Sequence, residues 1–241
     1  MKIALIGYGK MGKAIEKLAL QQGHEIVLKI NRENITELNT ANLKKADVAI
    51  EFSTPQTVIQ NIICCFEAQT PVVIGTTSWS NHRKEIENKC ISSGGAMLAA
   101  SNFSLGVNLF FEINSKLAQL MNQYPQYKIL LTEIHHTAKL DAPSGTAISL
   151  AEEILLKSKH YIKWENKVFT EDKILPINSI REPDVPGTHT IKYASNEDII
   201  EIKHTAINRE GFASGALMAA TWLIGKKGIY SIKDVLNLGQ F

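Results

Sequence analysis

The chain has 241 residues, 44% of them hydrophobic, a length that suits one large domain or two modest ones, with two preferred. Its 26 basic and 24 acidic residues leave a formal net charge of +2 with no long run of either sign, which argues against a nucleic-acid or membrane partner. The apolar run Ile3-Ala4-Leu5-Ile6 is broken at Gly7, too short for a signal segment, and no later stretch approaches a membrane span, so a cytoplasmic protein is expected.

Taken in order, Lys2–Ile6, Glu25–Ile30, Val48–Phe52, Val72–Ile74 and Met97–Ala100 read as strands, several of them too uniformly apolar for a one-sided sheet. Helical patterns fill the gaps. Ala14, Ile15, Leu18 and Ala19 share one face, as do Val58, Ile59, Ile62, Ile63 and Phe66; Gly23 is expected to stop the first helix and Thr54-Pro55 to start the second. Cys64, Cys65 and Cys90 have neither zinc-ligand spacing nor a disulfide framework and read as core thiols. After Ser101-Asn102 the rhythm changes to a helix from Val107 to about Met121, a strand Tyr127–Ile134, a helix from about Thr146 to Lys157, and β-rich sequence through Ile202. Phe212–Ile224 returns to helical spacing. The expectation is therefore an α/β doubly wound domain over residues 1–103 and 212–241, with an α+β domain over 104–211.

Gly7-Tyr8-Gly9-Lys10-Met11-Gly12 fits G-x-G-x-x-G, directly follows a strand and opens a helix, the setting of a Rossmann-like dinucleotide loop. The first glycine permits the turn, the second lets backbone approach a pyrophosphate, and the third lets helix pack on strand. An acid that binds ribose is expected about 20 positions further on. This chain has Asn31-Arg32-Glu33 there. Asparagine can bond a ribose but lacks the carboxylate that repels a 2′-phosphate, and Arg32 could pair with one. Phe52-Ser53-Thr54-Pro55 and Gly75-Thr76-Thr77 end two further strands and could line the nicotinamide side.

Glu133-Ile134-His135-His136-Thr137-Ala138-Lys139-Leu140-Asp141 then runs through Ala142-Pro143-Ser144-Gly145-Thr146-Ala147 into a helix. That helix start offers free N–H groups to an anion, and Lys139 adds a full charge, so a substrate carboxylate is expected there. Histidine supplies the proton that a reduction needs once hydride has left negative charge on the substrate. His135 and His136 are adjacent and would point opposite ways on a strand, which argues against a metal.

These residues resemble the 4-hydroxy-tetrahydrodipicolinate reductase (dihydrodipicolinate reductase) family nearly letter for letter over Glu133–Ala147. Further matches are the loop ending Met11-Gly12, Phe52-Ser53-Thr54-Pro55, Gly75-Thr76-Thr77, Asn102-Phe103-Ser104-Leu105-Gly106-Val107-Asn108 and Phe212-Ala213-Ser214-Gly215-Ala216. The resemblance implies NADPH- or NADH-dependent reduction of a small dicarboxylate in lysine and diaminopimelate biosynthesis. Hydride would reach C4 of the conjugated imine formed as the hydroxylated substrate loses water. It further implies that His135 is the general acid/base, with Lys139 as its cationic partner. His136, Lys139, Ser144, Gly145, Thr146 and Arg209 would contact the carboxylates, and Gly7, Lys10, Met11, Gly12, Gly75, Thr77 and Asn102 would lie around the cofactor. With the loop and strand-end residues, the expected cofactor set also takes in Gly9, Asn31, Arg32, Phe52, Ser53, Thr76, Ala99 and Phe103. A homotetramer joined through the sheet of the second domain, the substrate domain, is implied as well.

Asn31 departs from the family's acid, the connection from Ile30 to Val48 is short, and Glu182-Pro183-Asp184-Val185-Pro186-Gly187 carries unusual prolines. Two rival readings stay open on the residues alone. One is a dinucleotide sensor without turnover; the other is a metal-dependent lyase built on His135, His136 and Asp141.

Overall fold

The first apolar runs form strands because aliphatic and β-branched residues follow one another without a helical period. β1 (Lys2–Ile6), β2 (Glu25–Ile30), β3 (Val48–Glu51), β4 (Val72–Ile74) and β5 (Ala96–Ala99) are separated by α1 (Lys10–Gln21), α2 (Thr40–Leu43), α3 (Val58–Glu67) and α4 (Arg83–Ser93). The computed structural model that provides these coordinates describes residues 1–169, 171–208 and 210–238. Next come α5 (Leu105–Met121), β6 (Lys128–His135), α6 (Gly145–Lys157), β7 (Lys163–Glu165), β8 (Ile174–Arg181), β9 (Thr188–Ala194) and β10 (Ile199–Thr205). α7 (Glu210–Leu223), β11 (Gly228–Tyr230) and α8 (Ile232–Val235) follow. The chain divides into two compact units, Met1–Leu105 with Glu210–Phe241, and Gly106–Arg209.

The first unit holds a six-stranded parallel sheet in the order β11-β5-β4-β3-β1-β2. Side chains alternate across it. Ala4 and Ile6 join Ile62, Phe66 and Ile86 on the face covered by α3 and α4, whereas Ile3 and Leu5 join Ile15, Leu217 and Leu223 on the face covered by α1 and α7. Each aliphatic side chain so buried contributes roughly 1.5–3 kcal/mol. The chain leaves β1 toward β2 on one side and returns to β3 on the other, so the sheet's topological switch point lies between β1 and β3. The short connection after β2 holds a 3-10 turn (Ile35–Glu37) and α2 and adds no strand.

Several element boundaries differ from expectation, β6 by one residue at each end (Lys128–His135) among them. β3 stops one residue before Phe52, and β5 is Ala96–Ala99 rather than Met97–Ala100. α3 begins at Val58 and not at Thr54-Pro55, because the Thr54 carbonyl accepts from the N–H groups of Thr57 (3.1 Å) and Val58 (3.0 Å) and closes a turn first. All three cysteines are free and buried.

The second unit carries a five-stranded mixed sheet in the order β10-β9-β6-β8-β7. β9 is antiparallel to β6 and β10; β8 is parallel to β6 and β7. Ile129 and Leu131 of β6 pack with Leu175, Ile177, Ile191 and Tyr193 against Phe110 of α5 and Leu150 and Ile154 of α6. The alternation continues along β6, so Glu133 and His135 enter the same helix-covered layer. Leu130, Thr132 and Ile134 face the other way and are half-buried.

Candidate active site

Strand register assembles the candidate site of the second unit. Glu133 on β6 lies opposite Ser179 on β8 and His189 on β9, and His135 lies opposite Arg181. Residues opposed across a sheet share a face, so one acid, two imidazoles and a guanidinium converge from three strands. Helix α6 starts directly over them. The Ser144 hydroxyl caps the helix by accepting from the Ala147 N–H (3.2 Å), and the Ser144 N–H donates to both oxygens of Glu133 (3.0 Å each).

Arg181 clamps the loop beyond β6. Its Nη2 reaches Glu133 Oε1 (3.3 Å) and the Asp141 carbonyl (2.6 Å), and its Nε donates to the Lys139 carbonyl (3.4 Å). Lys139 Nζ in turn donates to both carboxylate oxygens of Asp141, at 2.7 and 2.8 Å. An ammonium has three donors, so one stays available for a ligand.

The electrostatics separate the two imidazoles. Burial pushes His135 below its ordinary value, Glu133 works against that, and Lys139 and Arg181 add to it, leaving the ring neutral near pH 7. His189 is pushed down to about 4, first by burial and then by His135 beside it. Burial raises Glu133, but the Ser144 and Ser179 groups and nearby His135 outweigh it, so the carboxyl sits below its ordinary range. Glu133, His135 and His189 place ligand atoms within 4.8 Å of one another. The carboxylate is already held by Ser144 and Arg181, whose positive charge opposes a bound cation. His136 and Asp141 do not belong to that cluster.

In the first unit, β1 hands over to α1 at the glycine loop. Gly7 has φ +93°, and a Cβ there would lie 2.0 Å from the Phe52 carbonyl oxygen, so only glycine lets β1 turn this close to the end of β3. Gly9 faces open space, where a pyrophosphate can approach the backbone, and buried Gly12 packs helix against loop. An open cavity of about 540 Å³ is lined by Gly7, Tyr8, Gly9, Asn31, Arg32 and Ser53 among others. Its position outside the carboxyl ends of β1, β2 and β3 and its glycine-lined floor fit a dinucleotide.

The expected cofactor residues divide by what their side chains do. Lys10 is exposed at the start of α1, Met11 and Ala99 are half-buried, and Thr77 is exposed after β4. Asn31 Oδ1 accepts from the N–H groups of Glu33 (2.8 Å) and Asn34 (3.2 Å), so it shapes its own loop. Thr76 is buried and accepts from the Ser53 N–H (2.8 Å), tying the loop after β4 to that after β3. The Phe103 ring packs on Phe52 at 5.7 Å, and the residue is buried with its carbonyl set against Gly215 of α7. Asn102 Oδ1 accepts from the Ser104 N–H (2.8 Å), and Gly75 lies against the Phe52 ring.

Of the expected substrate residues, Ser144, Gly145 and Thr146 form the start of α6, and His136 is half-buried just past β6. Arg209 lies outside the described residues. Sequence reasoning missed Glu133, Arg181 and His189 as site residues. It also missed buried Glu51, which accepts from the Ser53 hydroxyl and from Asn61 Nδ2 (3.1 Å) and steadies the loop that ends β3. Hydroxyls and amides clustered two to ten positions beyond an acid at a strand end were the available signal for Glu51.

Residues 1–103 match the family described as dihydrodipicolinate reductase, N-terminus, and residues 106–236 match dihydrodipicolinate reductase, C-terminus. A 4-hydroxy-tetrahydrodipicolinate reductase of Christiangramia forsetii is 47% identical over 237 residues, 98% of each chain. Another from Thermosipho africanus is 34% identical over 240 residues, again 98% of each chain. A dipicolinate-bound dihydrodipicolinate reductase from Paenisporosarcina sp. TG-14 has the same fold, with a TM-score of 0.76 at 23% identity over 96% of this chain and 97% of that one.

Proposed function

The chain belongs to the dihydrodipicolinate reductase family, and from that premise we propose that His135 and Lys139 manage the proton of its reaction while the start of α6 holds the substrate. The activity is NAD(P)H-dependent reduction of 4-hydroxy-tetrahydrodipicolinate, via dihydrodipicolinate, to tetrahydrodipicolinate in lysine and diaminopimelate biosynthesis.

Bound NAD(P)H supplies the hydride. Gly7, Gly9 and Gly12 with the first turn of α1 would hold its pyrophosphate, and Arg32 would reach the adenosine ribose. The N–H groups of Gly145 and Thr146, the Thr146 hydroxyl and Lys139 Nζ would take the substrate carboxylates, with His136 and Arg209 completing the set. Lys139 would share its third donor with a carboxylate while Asp141 keeps the other two, so binding needs no broken ion pair. His135, buried and held below its ordinary value by that burial, would move the proton that balances the incoming negative charge.

The observation that carries this reading is the placement of His135 and Lys139 beside the capped start of α6. Its test is the oxidation of NADPH and of NADH followed by absorbance, with freshly generated substrate, before and after dialysis against a chelator. Turnover that survives dialysis is expected; loss with the metal removed would move Glu133, His135 and His189 to a metal centre.

A homotetramer belongs to the same proposal. The sheet face bearing Leu130, Thr132 and Ile134 and the exposed Ile199 and Ile200 of β10 offer it apolar area. Light scattering that gives a monomer at micromolar concentration would overturn it. Cytoplasmic residence is likewise proposed, to be checked by cell fractionation.

A further inference from the structure

Glu133 has no part in the proton transfer described so far, yet it is fully buried beside His135 and within ion-pair distance of Arg181 and His189. Resting on the assignment of His135 as the acid–base group, we propose that Glu133 is its positioning residue: it holds the Nδ1 edge of the ring, so that Nε2 exchanges the proton with substrate.

The two edges of the His135 ring differ in what surrounds them. Nδ1 is buried, lies 3.4 Å from Glu133 Oε2 and has no formed hydrogen bond among the described residues. Neither substrate nor water reaches it. That separation is long for a hydrogen bond and would tighten when the ring carries a proton, because the attraction to the carboxylate then becomes ion to ion. Nε2 runs along Gly187, where a Cβ would stand only 3.1 Å away, so the missing side chain keeps that edge open. An Nδ1–H held by the carboxylate leaves Nε2 with the lone pair in the neutral ring, and with the transferable proton in the cation.

Glu133 is suited to orient and not to exchange. The Ser144 N–H donates to both of its oxygens, and Arg181 Nη2 donates to one of them, which keeps it ionised at neutral pH. His189 fixes the ring plane from the other side: its ring meets that of His135 edge-on, centroids 5.1 Å apart, and its Nε2 is 3.2 Å from the Ser144 hydroxyl. Held near 4, it is uncharged at pH 7. The charged and titratable groups around His135 are thus Glu133 on β6, Lys139 and Asp141 on the following loop, Arg181 on β8 and His189 on β9. Glu133 and Asp141 favour the imidazolium; Lys139 and Arg181 disfavour it.

Glu133→Gln keeps the size and removes the charge. The expected result is a kcat lower by about 10–100-fold with KM nearly unchanged, and an alkaline limb of the kcat–pH profile displaced to lower pH, since the imidazolium has lost its stabilising partner. Glu133→Asp, which restores the charge, should return the limb toward its original position. A lower rate with an unmoved limb would reduce Glu133 to a structural anchor and overturn the proposal. His135→Gln in parallel separates the two readings: if it is inactive while Glu133→Gln is normal, His135 keeps its role and the positioning claim alone fails. Should Glu133→Gln not fold, nitrogen-15 NMR of the native enzyme decides, with the Nδ1–H tautomer of His135 expected and the Nε2–H tautomer contrary to the proposal.

Discussion

Lys139 and His135 lie four residues apart in the chain, one amine half-buried on a loop, one imidazole buried on a strand. With the roles proposed for them on the substrate's proton and charge, His135→Gln and Lys139→Ala should each lower kcat by about 10²–10⁴-fold while calorimetry shows unchanged dinucleotide affinity. Near-normal kcat in either variant would remove that residue from the mechanism. Arg32 lines the dinucleotide cavity, whereas the Asn31 oxygen is spent on its own loop, so discrimination at the ribose falls to Arg32. A charge-assisted contact to a 2′-phosphate is worth roughly 1.5–3 kcal/mol, enough for tenfold selectivity. Arg32→Ala should therefore cut kcat/KM for NADPH about tenfold or more and spare NADH; equal loss for both would show that Arg32 does not read the 2′-position. His135, Lys139 and Ser144 could be picked from sequence because they crowd one short stretch with the chemistry of an anion site. Arg181 and His189 could not: they reach the site through a register between β6, β8 and β9 that no local pattern records.

Helix α6 shows how much one element start contributes. Ser144 caps it, grips Glu133 through its N–H and meets His189 through its hydroxyl. Ser144→Ala keeps the N–H and loses the cap, which should cost about 1 kcal/mol in urea unfolding and raise KM for the substrate more than that for the cofactor. A change in neither would mean that backbone groups alone define this helix start. Elements with a continuous apolar face were legible: β1, α1, β6 and α6 sit within two residues of their expected bounds. α4 was not, because only Ile86 and Cys90 are buried among its eleven residues and two positions make no stripe. β11, three residues long and paired to β5 from far along the chain, gives no periodic signal at all.

At the scale of the molecule, the buried imidazole of His189 links folding to pH. Its value falls from 6.5 to about 4 on folding, so the unfolded chain binds the proton more readily between those limits. The stability tied to it is complete above the unfolded value and is lost as pH drops toward the folded one, by up to about 3 kcal/mol. Urea midpoints measured from pH 7 to pH 4.5 should fall accordingly, and His189→Gln should flatten the slope; an unchanged slope would place the acid sensitivity elsewhere. The two-unit division has a consequence in time. α7 supplies Ala213, Ala216, Leu217, Ala220 and Leu223 to the core layer begun by Ile3, Leu5 and Ile15, so that layer cannot close when residues 1–105 leave the ribosome. The intervening Gly106–Arg209 must be synthesised first, which takes roughly 5–20 seconds at ordinary elongation rates. Once complete, the middle segment can fold as one uninterrupted stretch, but until α7 follows it the nascent parallel sheet waits with an oily side bare, the moment at which a chaperone has most to hold and aggregation its best opening.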